Sequence, residues 1–302
     1  MCTLMPFRCP HALAPCLLAA LLAWTGAAAA QATPEASWQD VSGILLTPPV
    51  DAAGYVRFNF PRTDLAVQVG DVSIPASFAL TGWVGFDGTP DSALAMGDLV
   101  VTAAELGPVL AELGRQSVEV TAVHNHLAGE EPQVTYVHFH QAGPPVRTAR
   151  ALDAALRLTG SPRPVRSVAP AAVTIDTAMV FRVLGARGRA AGAMAQVGPV
   201  LVPAPVRMHG LAIRPALAYA SPINVLQLSA GRAVATGDFA VTAGQLSPLL
   251  AALAVHGLTA TAVHHHLVGE EPKLYFVHFW GDAPLPMLLD ALRAGLDATG
   301  PR

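Results

Sequence analysis

The chain has 302 residues, a formal net charge of −3 at pH 7 and 52% hydrophobic residues, enough for two domains of ordinary size. Its 18 basic residues are scattered arginines and a single lysine, Lys273, so the sequence offers no basic patch to neutralise nucleic-acid phosphates. Charge and composition therefore argue against a nucleic-acid partner.

The N-terminal segment has the organisation of a secretory signal peptide. Arg8 supplies a positive start, residues 12–24 form a short apolar core, and an alanine run then offers Ala-x-Ala cleavage sites. We predict that residues 1–32 are removed, with cleavage after Ala30 or Ala32. The alternative, an uncleaved anchor, is disfavoured by the short core. The mature protein is expected to be periplasmic or secreted, with no later transmembrane segment.

All cysteines lie inside this predicted signal peptide, at Cys2, Cys9 and Cys16. The mature chain would then contain neither a thiol nor a disulfide. Any metal site in it must use histidines and carboxylates.

An internal repeat dominates the remaining sequence. Residues 96–160 align with residues 236–300 at a fixed offset of 140, and 30 of the 65 aligned positions are identical. Such a repeat indicates a duplicated domain. We predict repeat 1 over residues 33–162, a Pro-rich linker over residues 163–172, and repeat 2 over residues 173–302.

The predicted elements of each repeat alternate between strands and helices. In repeat 1, helical spacing of apolar residues follows Thr102, a suitable N-cap. The predicted order is a strand at 78–86, a strand at 92–102, a helix at 103–115, a strand at 118–127, a turn at 129–132, a strand at 134–140 and a helix at 145–158. Repeat 2 is expected to match, with its last helix at 285–298. The predicted fold is α+β: two tandem homologous domains, each an antiparallel sheet with helices packed on one face.

Histidines recur at strand spacing in both repeats. Side chains at positions i and i+2 of a strand share a face, so His124 lies beside His126. A three-residue turn at 130–132 would set His124 opposite His138 and His126 opposite Tyr136. A two-residue turn would split the histidines between the two faces of the sheet.

In the favourable register, three imidazoles lie close enough to bind one ion, with a fourth position open. Zinc is the favoured ion because nitrogen ligands without thiolate suit it, although copper or nickel can bind the same groups. The carboxylates of the turn would be ligands or outer partners of the imidazoles. The predicted metal ligands are His124, His126, His138 and Glu130 in repeat 1, and His264, His266, His278 and Glu270 in repeat 2. Asp64 and Asp98 are further candidates for the outer role, and His265 has the wrong strand parity and is expected to be exposed.

Three functions remain open from the residues. The first is binding of a metal ion or a small molecule, for storage, buffering or sensing. The second is a metal-dependent hydrolase or lyase in which an open three-histidine site lowers the pKa of bound water and Glu130 moves the proton. The third is an envelope interaction module whose histidines are core residues satisfied by hydrogen bonds.

Several motifs together resemble the LppY/LpqO family of exported bacterial proteins. They are Phe58-Asn-Phe-Pro-Arg-Thr-Asp-Leu65, Gly97-Asp-Leu-Val100, Thr121-Ala-Val-His-Asn-His-Leu127, Gly129-Glu130 and Val137-His-Phe139. The resemblance covers both repeats and implies a domain of unknown function, with no activity, substrate or cofactor to carry over. Repeat 2 departs from it around residues 200–206, which lack the Pro-Arg-Thr-Asp segment. If that segment contributes to a site, repeat 1 is the better candidate for activity.

Overall fold

The computed structural model describes residues 38–52, 54–165, 173–202 and 205–300. The predicted signal peptide, residues 1–32, lies outside the described residues, as does most of the predicted linker. In the part of the chain that is described, no helix is long and apolar enough to cross a membrane.

The described part of repeat 1 contains four helices and nine strands. Helices α1 to α4 span Gln39–Leu45, Ala76–Ala79, Ala103–Arg115 and Pro145–Leu156. Strands β1 to β9 span Val50–Asp51, Val56–Pro61, Gln68–Val69, Val72–Ser73, Thr81–Gly88, Ala93–Thr102, Glu119–His124, Glu130–Glu131 and Val134–Gly143.

The described part of repeat 2 follows the same plan. Helices α5 to α8 span Thr177–Leu184, Pro215–Ala218, Ala243–Val255 and Leu285–Ala298. Strands β10 to β18 span Gly188–Ala191, Met194–Val197, Arg207–Met208, Leu211–Ala212, Ile223–Ser229, Arg232–Thr242, Thr259–His264, Glu270–Glu271 and Leu274–Ala283.

Each repeat forms a six-stranded antiparallel sheet. The strand order is β1-β2-β5-β6-β9-β7 in repeat 1 and β10-β11-β14-β15-β18-β16 in repeat 2. Two three-stranded sheets accompany them, in the orders β4-β3-β8 and β13-β12-β17. The long central pairs, β6 with β9 and β15 with β18, run in register over ten residue pairs each and carry the residues of the site.

The helix after the long central strand begins where the sequence predicts. The side chain of Glu105 accepts a hydrogen bond from the N–H of Thr102 at 2.8 Å, which completes a capping box at the start of α3. Gln245 serves Thr242 in the same way at 2.8 Å in repeat 2. Both threonines are therefore the N-caps that the pattern predicts.

Helices cover the outer face of each large sheet. In repeat 1, buried Val109 and Leu113 of α3 pack in one core with Leu99 and Phe139 of the sheet. Repeat 2 forms an equivalent core between α7, α8 and its own sheet. The prediction of two antiparallel sheets, each with helices on one face, is confirmed.

The two uncovered sheet faces pack against each other. One apolar cluster joins Met96 of repeat 1 to Met208 and Phe276 of repeat 2. Another joins Tyr136 of repeat 1 to Trp280 of repeat 2. The repeats therefore stack as helix, sheet, sheet and helix layers, and the inner faces of both sheets are buried.

Two predicted strands have different limits in the structure. The predicted strand at 78–86 begins as the short helix Ala76–Ala79, and β5 runs over Thr81–Gly88. The predicted strand at 118–127 ends at His124, since Glu130–Glu131 do not form a hairpin turn but pair with β3 in the small sheet. The connection between β7 and β9 is therefore longer than predicted.

The longer connection changes the register of the predicted hairpin. His124 lies opposite Tyr136, and Ala122 lies opposite His138, so the predicted pairing of His124 with His138 is wrong by two residues. A β-bulge between Val120 and Ala122 accompanies the shift. Because a shift of two preserves the face on which a side chain lies, His124 and His138 still share the inner face.

Candidate metal centre

The inner faces of both sheets carry an aspartate and three histidines at equivalent positions. Asp98 on β6 lies directly opposite His138 on β9, and Asp238 on β15 lies opposite His278 on β18. His124 reaches the same face from the edge strand β7. The fold thus places these groups between the two sheets.

A glycine precedes each aspartate because the neighbouring strand approaches closely. A Cβ atom on Gly97 would lie 2.1 Å from the carbonyl oxygen of Trp83, and one on Gly237 would lie 2.1 Å from that of Pro222. No larger residue fits without movement of the backbone. The Gly-Asp pair of both repeats is therefore a geometric requirement of this part of the sheet.

Histidines of the two repeats stack on one another across the interface. The rings of His124 and His264 have centroids 3.9 Å apart and planes inclined by 17°. The rings of His138 and His266 are 4.4 Å apart and inclined by 7°. His126 lies 3.9 Å from His278 at 33°. The six histidines therefore form one continuous histidine cluster that contains three pairs across the interface.

Within each repeat, histidine nitrogens converge. The Nε2 atoms of His124 and His126 are 3.2 Å apart, and those of His264 and His266 are 2.8 Å apart. Two imidazoles bound to one tetrahedral zinc at about 2.05 Å would have nitrogens about 3.3 Å apart. The separation in repeat 1 is close to this spacing, and the shorter separation in repeat 2 is that of a hydrogen bond between the two imidazoles.

Two groups of ligand atoms have all their members within 4.8 Å of one another. The first contains Asp98, His124 and His126, and the second contains His124, His264, His266 and His278. The three predicted ligand histidines of repeat 2 thus come together. In repeat 1, Asp98 takes the place of His138 beside the other two histidines.

The two aspartates are buried and incompletely paired. Asp98 is 5% exposed and Asp238 is 4% exposed, and one oxygen of each has no hydrogen-bond partner among the described residues. The other Asp238 oxygen lies 3.6 Å from Nε2 of His266 and 3.9 Å from Nε2 of His278. Buried carboxylates with free lone pairs beside imidazoles are a ligand set that suits a divalent cation.

Burial shifts the pKa values of these groups toward their neutral forms. It lowers the pKa of His138 to about 3 and that of His278 to about 4, and burial together with neighbouring imidazoles lowers the pKa of His264 to about 2. Burial raises the pKa of Asp98 to about 7, against the opposing charge of Arg57. The histidines are therefore unprotonated at neutral pH, the form that binds metal.

The third histidine of each repeat is oriented by a hydrogen bond through its other nitrogen. Nδ1 of His138 lies 2.9 Å from the hydroxyl of Thr121, and Nδ1 of His278 lies 2.8 Å from the carbonyl oxygen of Gly237. Because a carbonyl oxygen can only accept, Nδ1 of His278 carries the hydrogen. Its Nε2 is then left with a free lone pair, and this atom is buried with no hydrogen-bond partner among the described residues.

The two predicted glutamates have other roles. Glu130 accepts a hydrogen bond from the N–H of Val134, and Glu270 accepts one from the N–H of Leu274. Neither belongs to the two converging groups, because each lies on a short strand of a small sheet. Lys273 also pairs with Glu270 at 3.1 Å. These carboxylates fix the connection between the strands.

Two further expectations from the sequence are corrected. His265 is half-buried rather than exposed, because its Nδ1 lies 3.0 Å from the carbonyl oxygen of Leu274. The Pro-Arg-Thr-Asp segment lies in an ion-pair network: Arg62 is 1% exposed and binds both Asp64 and Glu105. Asp64 is therefore a partner of Arg62 in repeat 1.

The fold and the site define a two-repeat α+β protein with a buried histidine and aspartate cluster between its repeats. The chain belongs to the family described as Domain of Unknown Function (DUF1259), whose sequence profile matches residues 39–158 and 178–298. This match confirms two tandem copies of a domain of unknown function, and the narrower resemblance to the LppY/LpqO family stays a prediction. No curated protein matches the chain.

Proposed function

We propose that this protein binds a divalent transition metal, zinc foremost, in the histidine cluster between its two repeats. The observation that carries the proposal is the approach of two Nε2 atoms within each repeat, at 3.2 Å between His124 and His126 and at 2.8 Å between His264 and His266. A second supporting feature is the buried carboxylate, Asp98 or Asp238, on the same sheet face in each repeat.

Burial favours metal retention over catalysis on a large substrate. Both aspartates and four of the six histidines are less than a tenth exposed, so only a small ligand would reach a metal held there. The proposed role is therefore binding and holding of the ion, for storage, buffering or sensing. We further propose that the protein does this outside the cytoplasm, on the strength of its N-terminal sequence.

The test is the metal content of the protein purified from an exporting host, measured by elemental mass spectrometry. We expect stoichiometric zinc in the wild type and its loss in a His124→Ala/His264→Ala double variant. His265→Asn is the matched control, since Asn is the residue that repeat 1 has at the equivalent position, and it should retain the metal.

Absence of metal from a folded wild type, even after dialysis against zinc, would refute the proposal. The cluster would then be a polar network of neutral imidazoles, and the chain would be an interaction or structural module. Circular dichroism of each variant separates loss of ligands from loss of fold.

A further inference from the structure

The orientation of the imidazole rings bears on how many ions the cluster holds. We infer that each chain binds two metal ions, one on the inner face of each repeat, rather than a single ion pooled between them. This inference rests on the proposed metal-binding function. It also assigns a ligand role to Asp98 and Asp238.

The stacked pairs cannot each share one ion. An imidazole nitrogen donates its lone pair in the plane of the ring. The planes of His124 and His264 are inclined by only 17° at a centroid separation of 3.9 Å, and those of His138 and His266 by only 7°. In-plane lone pairs of two stacked rings run nearly parallel and do not meet at one ion. The two imidazoles of each of these stacked pairs therefore serve different ions.

The histidine pairs within a repeat have the geometry to share an ion. The rings of His124 and His126 are inclined by 34° and those of His264 and His266 by 57°, with Nε2 atoms converging in both cases. Two tilted rings whose Nε2 atoms lie close together can direct both lone pairs at one ion. Each repeat therefore has a histidine pair that can hold one ion, and His124 also lies within reach of the ion of repeat 2.

The charge of two ions in one buried cluster must also be offset. Two divalent ions in neighbouring buried sites repel one another strongly. Each repeat supplies one buried carboxylate, and one oxygen of each has no hydrogen-bond partner in the described part of the chain. Asp98 and Asp238 thus provide one negative charge per ion on the inner sheet face of each repeat.

The two positions differ in their number of ligands. In repeat 2, His264, His266 and His278 converge, with His124 of repeat 1 also within reach. One oxygen of Asp238 lies 3.6 Å from Nε2 of His266 and 3.9 Å from Nε2 of His278. In repeat 1, His138 is not part of the converging group of Asp98, His124 and His126, which leaves three ligands. We expect the ion of repeat 2 to be held more tightly. The ion of repeat 1 has a fourth position for water or a small anionic ligand.

Metal stoichiometry tests this inference on the full-length mature protein. Zinc is removed with a chelator and restored by titration, with bound zinc counted by elemental mass spectrometry. The wild type should take up two equivalents in two steps. His126→Ala and Asp98→Asn should lose the weaker equivalent and keep the tighter one, whereas His266→Ala and Asp238→Asn should lose the tighter one.

The asparagine variants guard against unfolding, because asparagine has nearly the shape of a protonated aspartate. His265→Asn, which changes a neighbouring imidazole outside the converging groups, should retain both equivalents. A second readout uses Cu(II) in place of zinc: two ions in one cluster give a spin-coupled electron paramagnetic resonance spectrum, and each single-site variant gives the spectrum of an isolated ion.

The outcomes separate the inference from the function on which it rests. One equivalent in the wild type, abolished alike by variants in either repeat, would mean a single pooled ion and overturn the inference while sustaining metal binding. No bound zinc in the folded wild type would overturn both.

Discussion

Replacement of Arg62 by methionine should be among the most destabilising single changes in repeat 1. The Arg62 guanidinium is buried and donates to Glu105 at 2.8 and 3.0 Å, to Asp64 at 2.9 and 3.0 Å, and to the carbonyl oxygen of Val100. Methionine keeps much of the volume and removes every one of these donors. The two carboxylates would then face each other beside the start of α3.

The expected cost follows from the burial of the network. Removal of one partner from a buried ion pair costs about 3–5 kcal/mol, because the remaining charge is left without compensation. Glu105 is the partner most affected, since it also accepts from the N–H groups of Thr102 and Gly160 and so links α3 to the end of the repeat. At about 4 °C per kcal/mol for a domain between 100 and 150 residues, the melting temperature of repeat 1 should fall by about 12–20 °C.

Repeat 2 supplies the control for this prediction. Its equivalent of Glu105 is Gln245, which caps α7 and donates to the carbonyl oxygens of Leu201 and Thr299. A neutral residue is thus compatible with the fold at this position, and an Arg62→Met/Glu105→Gln double variant should lose less stability than Arg62→Met alone. Urea unfolding of the four proteins in the cycle gives the coupling energy. A cost below about 1 kcal/mol for Arg62→Met, or strict additivity in the cycle, would refute the reasoning.

Burial alone would raise the pKa of Glu105, but hydrogen bonds from Arg62 and from backbone N–H groups lower it, so its pKa in the folded state is depressed. Ionised Glu105 therefore stabilises the fold above its unfolded pKa of about 4.3, and this stability is lost as the pH falls through the folded pKa. Unfolding measured from pH 6 to pH 3 should show a shallower acid loss for Glu105→Gln than for the wild type, and parallel curves would contradict this. Gly97→Ala should lower the free energy of unfolding, measured with a chemical denaturant, by about 2–3 kcal/mol or more, since its Cβ would meet a carbonyl oxygen at 2.1 Å. Gly107→Ala in helix α3 is the control: its Cβ would have no neighbour within 4 Å, so this change should be neutral or stabilising. Equal effects at the two glycines would show that the close approach at Gly97 is relieved by movement of the strand.

Much of the fold is predictable from the sequence because local and repeated signals agree. The helix after Thr102 has apolar residues at helical spacing and an N-cap, and the structure has it at Ala103–Arg115 as predicted. The fixed offset of 140 residues transfers each prediction to repeat 2, where α8 spans the predicted Leu285–Ala298. The local sequence is therefore sufficient to predict these long helices.

The register near the site depends on contacts that the local sequence does not specify. Glu130–Glu131 has the appearance of a turn before a proline, yet it pairs with Gln68–Val69, some sixty residues earlier in the chain. That pairing lengthens the connection and moves His124 from His138 to Tyr136. The spacing of residues within a predicted hairpin does not reveal that a distant strand pairs with the same backbone.

The composition of the cluster was only partly predictable for a related reason. The six histidines are visible as a repeated pattern, whereas the stacking of His124 on His264 follows from how one repeat packs on the other. The ligand role inferred for Asp98 had a signal in the sequence: Gly97-Asp98 is identical to Gly237-Asp238 while the adjacent residues differ.

Duplication changes the chemistry of these histidines as well as their number. On the open face of a single sheet, an imidazole of ordinary pKa would be protonated for roughly a quarter of the time at pH 7 and would bind metal in competition with water. Packing the second sheet over that face buries His138 and His278 to 3% exposure and lowers the pKa of both. The interface thereby keeps the imidazoles neutral and dry, and the carboxylates of Asp98 and Asp238 become ionised most readily when a cation is beside them. Each repeat therefore depends on the other repeat for the buried environment of its histidines.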